Sequence, residues 1–346
     1  MKQTEIGFDP CESVVGFGYN TGASCARLIF SAMSELYPLL MMPVFERRPW
    51  GARDLAPIYD MHAHPGEESI GEAWLTGDNC EIANGPLAGT LLGEACKRFG
   101  RDLVGTAARE TERFPLLVKF LFPRQKLSVQ VHPDDVIAHK QGQPCGKTEC
   151  WYVVDAEPNA EIALGLRPET TRKEFAKAIE EQRAEELLNW VKVERGDMIY
   201  VDAGTVHTMG GGSIILETQQ NSDTTYRLYD YGRPRELHLQ QGLEAMKERT
   251  HAGKRESRKI GADQQELIAT DCFTVHKLAL TNDRCFDSDG ASARILVAVD
   301  GCGVAECEGA APVTFARGDA IIIPASVRQF RVRAQWKVEF LEMEQG

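Results

Sequence analysis

The chain has 346 residues, of which 43% are hydrophobic and 26% charged, the composition of an ordinary soluble globular protein of roughly two domains at ~150 residues each. A net charge of −12 argues against nucleic acid or an anionic membrane as the main partner, while leaving room for a small anion held by a few local Arg and Lys residues. Its ten cysteines form no Cys-x-x-Cys pair and no dense framework, so they read as reduced thiols of a cytoplasmic protein; Cys145 and Cys150 lack a zinc-ribbon spacing and read as structural.

In chain order, residues 1–32 show no apolar period and read as a poorly ordered extension, with Met33 a possible alternative start. Met1-Lys2-Gln3-Thr4-Glu5 lacks the basic start and apolar core of a secretory signal. The best membrane-span candidate, 26–44, is interrupted by Arg27, Ser31, Ser34, Glu35 and Pro38, so no transmembrane helix is expected. Gly71-Glu72-Ala73-Trp74 reads as a strand and 90–100 has helical spacing. The nearly continuous apolar run 114–122 reads as a buried strand. Residues 169–190, rich in Glu, Ala, Lys and Leu, read as one or two helices outside the sheets.

Between these elements lie the segments that carry chemistry. In Ser128-Val129-Gln130-Val131-His132-Pro133 and Lys147-Thr148-Glu149-Cys150-Trp151-Tyr152, apolar and polar residues alternate at period two. Ser128, Gln130 and His132 then share one strand face, and Lys147 and Glu149 share another. A polar face on two neighbouring strands suits a site better than a core. A Gly196-Asp197 turn launches an apolar strand toward Gly204 and His207. Gln130, His132, Glu149 and His207 thus offer an amide oxygen, two imidazoles and a carboxylate, a four-ligand set for a divalent metal.

Residues 317–327 repeat the Gly-Asp, strand and turn pattern, with Gln329 where His207 stands. The repeat has the scaffold without the ligand. Two strand-rich units of this kind imply a mainly β protein of two cupin or jelly-roll-like barrels with a few peripheral helices. The first, metal-binding and catalytic, spans 33–250 and the second, metal-free, spans 265–346, with the polar stretch 251–264 between them.

At these residues the chain resembles the short bacterial form of the type I mannose-6-phosphate isomerases of the cupin superfamily. The similar text covers about 36–341, most specifically 128–134, 146–152, 196–207 and 216–231. The resemblance implies one zinc ion per chain held by Gln130, His132, Glu149 and His207. It further implies a catalytic Arg227, with Lys147 and Glu217 in the active site, and isomerisation of mannose 6-phosphate to fructose 6-phosphate through an enediolate. The long helical insert of larger members is absent, and Asp202 stands where relatives often have Pro, a change expected to loosen the turn before His207.

Lys147 and Glu217 are both candidates for the proton carrier, and the sequence does not rank them. Arg227 cannot lose its proton and suits enediolate stabilisation or substrate binding, unless it only pairs with Asp223 or Asp230. Ser128, Asp223, Arg233 and Arg235 are candidate substrate contacts, the hydroxyl and the arginines for the phosphate. His62 and His64 read as an exposed loop, and His139, His238, His251 and His276 have no ligand-like company. Alternative readings are an isomerase of an unphosphorylated aldose such as mannose, or a non-catalytic metal-binding cupin that senses sugars. A monomer or homodimer is expected.

Overall fold

A computed structural model describes residues 35–60 and 69–346, and β-strands dominate them, as expected. His62 and His64 lie outside the described residues. The strands form antiparallel sheets of seven, five and nine members. The seven-stranded sheet runs in the order Gly253–Arg255, Met198–Val201, Glu149–Ala156, Ser213–Gln220, Leu116–Leu121, Ile70–Trp74 and Val44–Ala52. Facing it, the five-stranded sheet runs Tyr226–Tyr229, Val129–Val131, His207–Met209, Glu161–Leu166 and Leu188–Lys192.

Side-chain parity explains how the sheets are stacked. Along Glu149–Ala156, Trp151 and Val153 pack into a core shared with Ile162, Leu164 and Met209 of the five-stranded sheet. Cys150, Tyr152 and Val154 point the other way, into a core with Val275, Ile295, Val297 and Leu341 of the nine-stranded sheet. A sheet covered on both faces needs apolar residues at successive positions, which accounts for the run at 114–122. Its strand Leu116–Leu121 is buried throughout, Lys119 included.

The nine-stranded sheet takes its strands from residues 258–345 together with Leu39–Leu40, which pairs with Ile321 and Ile322. It encloses a second core around Leu278, Phe286, Leu296, Phe315 and Phe340. The 251–264 stretch serves both sides: Gly253–Arg255 pairs with Met198–Tyr200, and Arg258–Lys259 with Gln265–Glu266.

The internal echo recurs in hydrogen bonds. Gly196 and Gly318 take φ of +96° and +92°. In each turn the following aspartate accepts a backbone N–H three residues back, Asp197 from Glu194 at 2.9 Å and Asp319 from Ala316 at 2.8 Å. Gln329, in the position of His207, is exposed and donates to Asp287 at 3.0 Å.

The helix expected at 90–100 runs over Leu92–Phe99 and stops at Gly100, whose φ is +50°. The expected helical stretch 169–190 is helical only in Arg172–Glu180 and Ala184–Leu187; its end, Leu188–Lys192, is an edge strand paired with Glu161–Leu166. Asn189, Trp190 and Val191 belong to that strand, where the sheet's pairing outweighs the helical propensity of the preceding residues. Among the described residues no helix is long and apolar enough to cross a membrane.

Candidate active site

The barrel's two sheets deliver the polar groups to one interior cavity of about 460 Å³. Gln130 and His207 sit directly opposite each other on neighbouring strands of the five-stranded sheet. His132 follows the strand Val129–Val131, and Glu149 opens a strand of the opposing sheet. The ligand atoms of His132, Glu149 and His207 all lie within 4.8 Å of one another, and all three residues are buried. No other such group of His, Cys, Asp and Glu occurs among the described residues.

The ring nitrogens are assigned by what they touch. His132 Nδ1 meets the Thr224 carbonyl and His207 Nδ1 the Thr205 carbonyl, both at 2.9 Å. A carbonyl only accepts, so each Nδ1 carries the proton and each Nε2 keeps a lone pair free for a cation shared with Glu149, whose oxygens lie 3.7 Å and 3.3 Å away. Burial pushes both imidazoles below their ordinary range, His207 to about 4, with the Lys147 charge adding to the effect. Both are therefore neutral near pH 7, the form that binds metal. The turn before His207 is tied down by Asp202, which accepts from the Thr205 hydroxyl at 2.9 Å and from the His251 amide at 3.1 Å.

Glu149 shows why a cation suits this point. Burial pushes its carboxyl well above the usual carboxylate range, Lys147 offsets only part of that, and the charge of Glu217 adds to it. Its Oε2 is buried and makes no hydrogen bond among the described residues, with Lys147 Nζ 3.3 Å away as an ion-pair partner. Gln130 completes the set: its Nε2 lies 3.2 Å from His207 Nε2 and its Oε1 3.4 Å from the Ser128 hydroxyl. Rotation of the carboxamide exchanges its two ends, so this side chain can offer a neutral oxygen.

A chain of alternating charges continues from the triad across the seven-stranded sheet. Lys147, in the loop just before the strand rather than on it, places Nζ 3.2 Å from His132 Nε2, 3.3 Å from Glu149 and 3.9 Å from Glu217. Glu217 also meets Lys119 at 3.5 Å, its partner directly across the strands. Lys119 in turn lies 3.9 Å from Glu72 and over the ring of Trp74. Glu72 accepts from Trp74 Nε1 at 2.7 Å and from Arg48 through both carboxylate oxygens, at 3.1 Å each. Burial would raise the Glu217 carboxyl, but Lys119 and Lys147 outweigh it and hold the group at about 2. Glu217 is therefore an anion at neutral pH.

Ser128, Asp223, Arg227 and Arg235 also line the cavity. Ser128 is buried and Asp223 is exposed. Arg227 donates to the Glu236 carbonyl at 2.8 Å, and its Nε is buried without a hydrogen-bond partner among the described residues. Asp230 is bound by Arg233 and Arg235, and among the described residues Arg227 pairs with neither Asp230 nor Asp223. Arg233 is held away from the cavity by the carbonyls of Lys126 and Asp230. His139 and His276 are engaged elsewhere, with the Pro144 carbonyl and Glu342.

Lys119, Glu72 and Arg48 are cavity residues that sequence reasoning missed. The signal was present: Lys119 is the one charge in the apolar run Phe114-Pro115-Leu116-Leu117-Val118-Lys119-Phe120-Leu121-Phe122, and a charge buried in a strand demands a partner.

An antiparallel double-sheet barrel with two imidazoles and a carboxylate converging inside it is a metal-binding cupin barrel by design. The family model for the catalytic domain of type I phosphomannose isomerase matches residues 39–178. Mannose-6-phosphate isomerase ManA of Bacillus subtilis is 44% identical over 221 residues, 60% of this chain and 68% of the relative. The probable mannose-6-phosphate isomerase GmuF of the same organism is 37% identical, over 73% of this chain and 82% of the relative. The crystal structure of a mannose 6-phosphate isomerase from Bacillus subtilis superposes with a TM-score of 0.79 at 31% identity, covering 88% of this chain and 99% of the other. The chain belongs to the type I phosphomannose isomerase family.

Proposed function

We propose that this chain is a zinc-dependent aldose–ketose isomerase interconverting mannose 6-phosphate and fructose 6-phosphate. The observation that carries the reading is the buried cluster of His132, Glu149 and His207, two of which line one cavity together with Lys147, Glu217 and Arg227. A zinc ion held by those three residues and the Gln130 amide keeps a formal charge of +1 and supplies an electrophile for the sugar oxygens.

The chain's own residues supply the rest. The reaction moves a proton between C2 and C1 on one face of the sugar, through an enediolate. Lys147 and Glu217, 3.9 Å apart, are the two candidates for carrying that proton. Arg227 keeps its charge throughout and lines the cavity, where its guanidinium would offer the developing oxyanion a donor. Trp50, Leu121 and Leu127 wall the cavity and reduce its contact with water.

The test is fructose 6-phosphate formation from mannose 6-phosphate by the purified chain, before chelation, after it, and with zinc restored. Activity that disappears and returns supports the reading; activity indifferent to chelation ends the metal's part in it, and no turnover while zinc stays bound ends the substrate assignment. Arg227→Ala is expected to keep one zinc per chain and to lower kcat by roughly 10²- to 10³-fold, the usual cost of removing a donor to a developing oxyanion. Unchanged kcat would remove Arg227 from the chemistry.

A further inference from the structure

Lys147 is held by its main chain as firmly as by its side chain. It lies in the loop between the helix Asp135–Lys140 and the strand Glu149–Ala156, and three successive amides of that loop donate outward. Gly146 N–H donates to Asp135 Oδ1 at 2.7 Å, Lys147 N–H to the Pro133 carbonyl at 3.0 Å, and Thr148 N–H to Gln220 Oε1 at 2.8 Å. Gln220 Nε2 donates to the same Asp135 oxygen at 3.1 Å and closes the brace. The approach is close. A Cβ at Gly146 would stand 2.7 Å from backbone atoms of Asp134 and Asp135, so a larger residue would push the loop away.

The brace gathers the three segments that carry the candidate reacting groups. Pro133 follows His132, Gln220 ends the strand that holds Glu217, and the loop itself holds Lys147. Neither Asp135 nor Gln220 is among the residues lining the catalytic cavity; both line a separate cavity of about 600 Å³. Any effect they have on the chemistry therefore passes through the groups they hold. Lys147 is the one with little room to move, its Nζ standing 3.2 Å from His132 Nε2, 3.3 Å from Glu149 and 3.9 Å from Glu217.

We propose that Asp135 and Gln220 are positioning residues, which fix the loop so that Lys147 Nζ stays in register with the metal triad and Glu217, and that turnover depends on them through Lys147. This rests on the isomerase reading above. The device works by acceptor geometry: one carboxylate oxygen receives both the loop amide and the Gln220 amide, whose own oxygen receives the next-but-one amide of the loop.

The experiment measures kcat, KM for mannose 6-phosphate, zinc per chain and amide hydrogen exchange over residues 141–150. It compares the holoenzyme with Asp135→Ala, Asp135→Asn, Lys147→Ala, and Asp135→Ala combined with Lys147→Ala. For Asp135→Ala, kcat should fall by roughly 10- to 100-fold, the scale for misplacing a reacting group by about 1 Å. KM and zinc content should move less than about threefold, because the lost contacts lie outside the cavity. The Gly146 and Thr148 amides should exchange roughly 3- to 10-fold faster, the worth of one lost hydrogen bond. Asp135→Asn keeps an oxygen for both donors and should return kcat to within about threefold of wild type. In the double variant kcat should equal that of Lys147→Ala alone, since nothing is left to position. An unchanged kcat in Asp135→Ala, a parallel loss of zinc, or a further loss on top of Lys147→Ala overturns the proposal, and so does an Asn variant as slow as the Ala variant. Should Asp135→Ala fail to fold, Gln220→Leu removes the other half of the brace and carries the same expectations. A wild-type chain inactive on mannose 6-phosphate overturns the isomerase reading itself. The exchange rates then still decide the brace, and amides no faster in the variant overturn it.

Discussion

A His132→Ala chain is expected to fold, to bind no zinc after purification, and to lose at least roughly 10³-fold of its turnover, the several kcal/mol that a metal electrophile supplies. The imidazole hangs at the end of Val129–Val131, whose Val129 and Val131 remain packed in their own core after the substitution. What is lost is one of three convergent ligand atoms and the contact that fixes it, the 2.9 Å bond from Nδ1 to Thr224. Lys147 Nζ, 3.2 Å from Nε2, also loses an acceptor and remains beside Glu149. The stability cost is that of a buried polar truncation, ~1–3 kcal/mol. Metal per chain by elemental analysis, a thermal melt and kcat decide it. A variant retaining one zinc per chain would refute the ligand set, and a variant that is metal-free but unfolded would show that His132 serves the fold first.

How much of this was legible follows from which physical signal each residue leaves in the text. Period-two alternation marked 128–132 and 147–152 as strands with a polar face, and the structure pairs Gln130 with His207 and sets Glu149 opposite. The alternation began that strand two residues early, at Lys147, because a strand's end depends on its partner's length, and Glu149 is the first residue paired. Leu188–Lys192 is an edge strand whose only partner among the described residues lies more than twenty residues earlier, at Glu161–Leu166, and no local pattern announces such a pairing. Lys119 was hidden for a different reason. An apolar run covered on both faces looks the same whether or not one inward position holds a charge, and the partners that make the charge tolerable, Glu217 and Glu72, come from strands distant in sequence. Residue types therefore point to candidate ligands, while the charges around them emerge only once the sheets are assembled.

Lys119→Met follows from that tuning and is expected to act on both stability and pH dependence. In the wild type, burial pushes the Glu217 carboxyl up and the Lys119 and Lys147 charges pull it down to about 2. Glu72 is held down in the same way, against burial, by Lys119 and then Arg48. A carboxyl whose folded value lies below its unfolded one contributes stability that is complete above about 4.5 and disappears as the pH falls through about 2. Removing Lys119 lets burial dominate, so the Glu217 value rises and its contribution at neutral pH shrinks. The urea midpoint of the variant should therefore drop by an amount worth ~3 kcal/mol at pH 7, the scale for breaking a buried ion network. The difference from wild type should narrow as the pH approaches 4, where the wild type is also losing this stabilisation. If an ionised Glu217 serves the isomerisation, the acid limb of kcat moves to higher pH in the variant by about one unit or more, each unit corresponding to ~1.4 kcal/mol of lost interaction. Lys119→Arg, which keeps the charge, should return the limb toward its original place. A variant with an unshifted acid limb would show that Glu217 titrates independently of Lys119 or has no part in the rate. A variant equally destabilised at pH 7 and pH 4 would assign Lys119 a packing role over Trp74 instead of an electrostatic one.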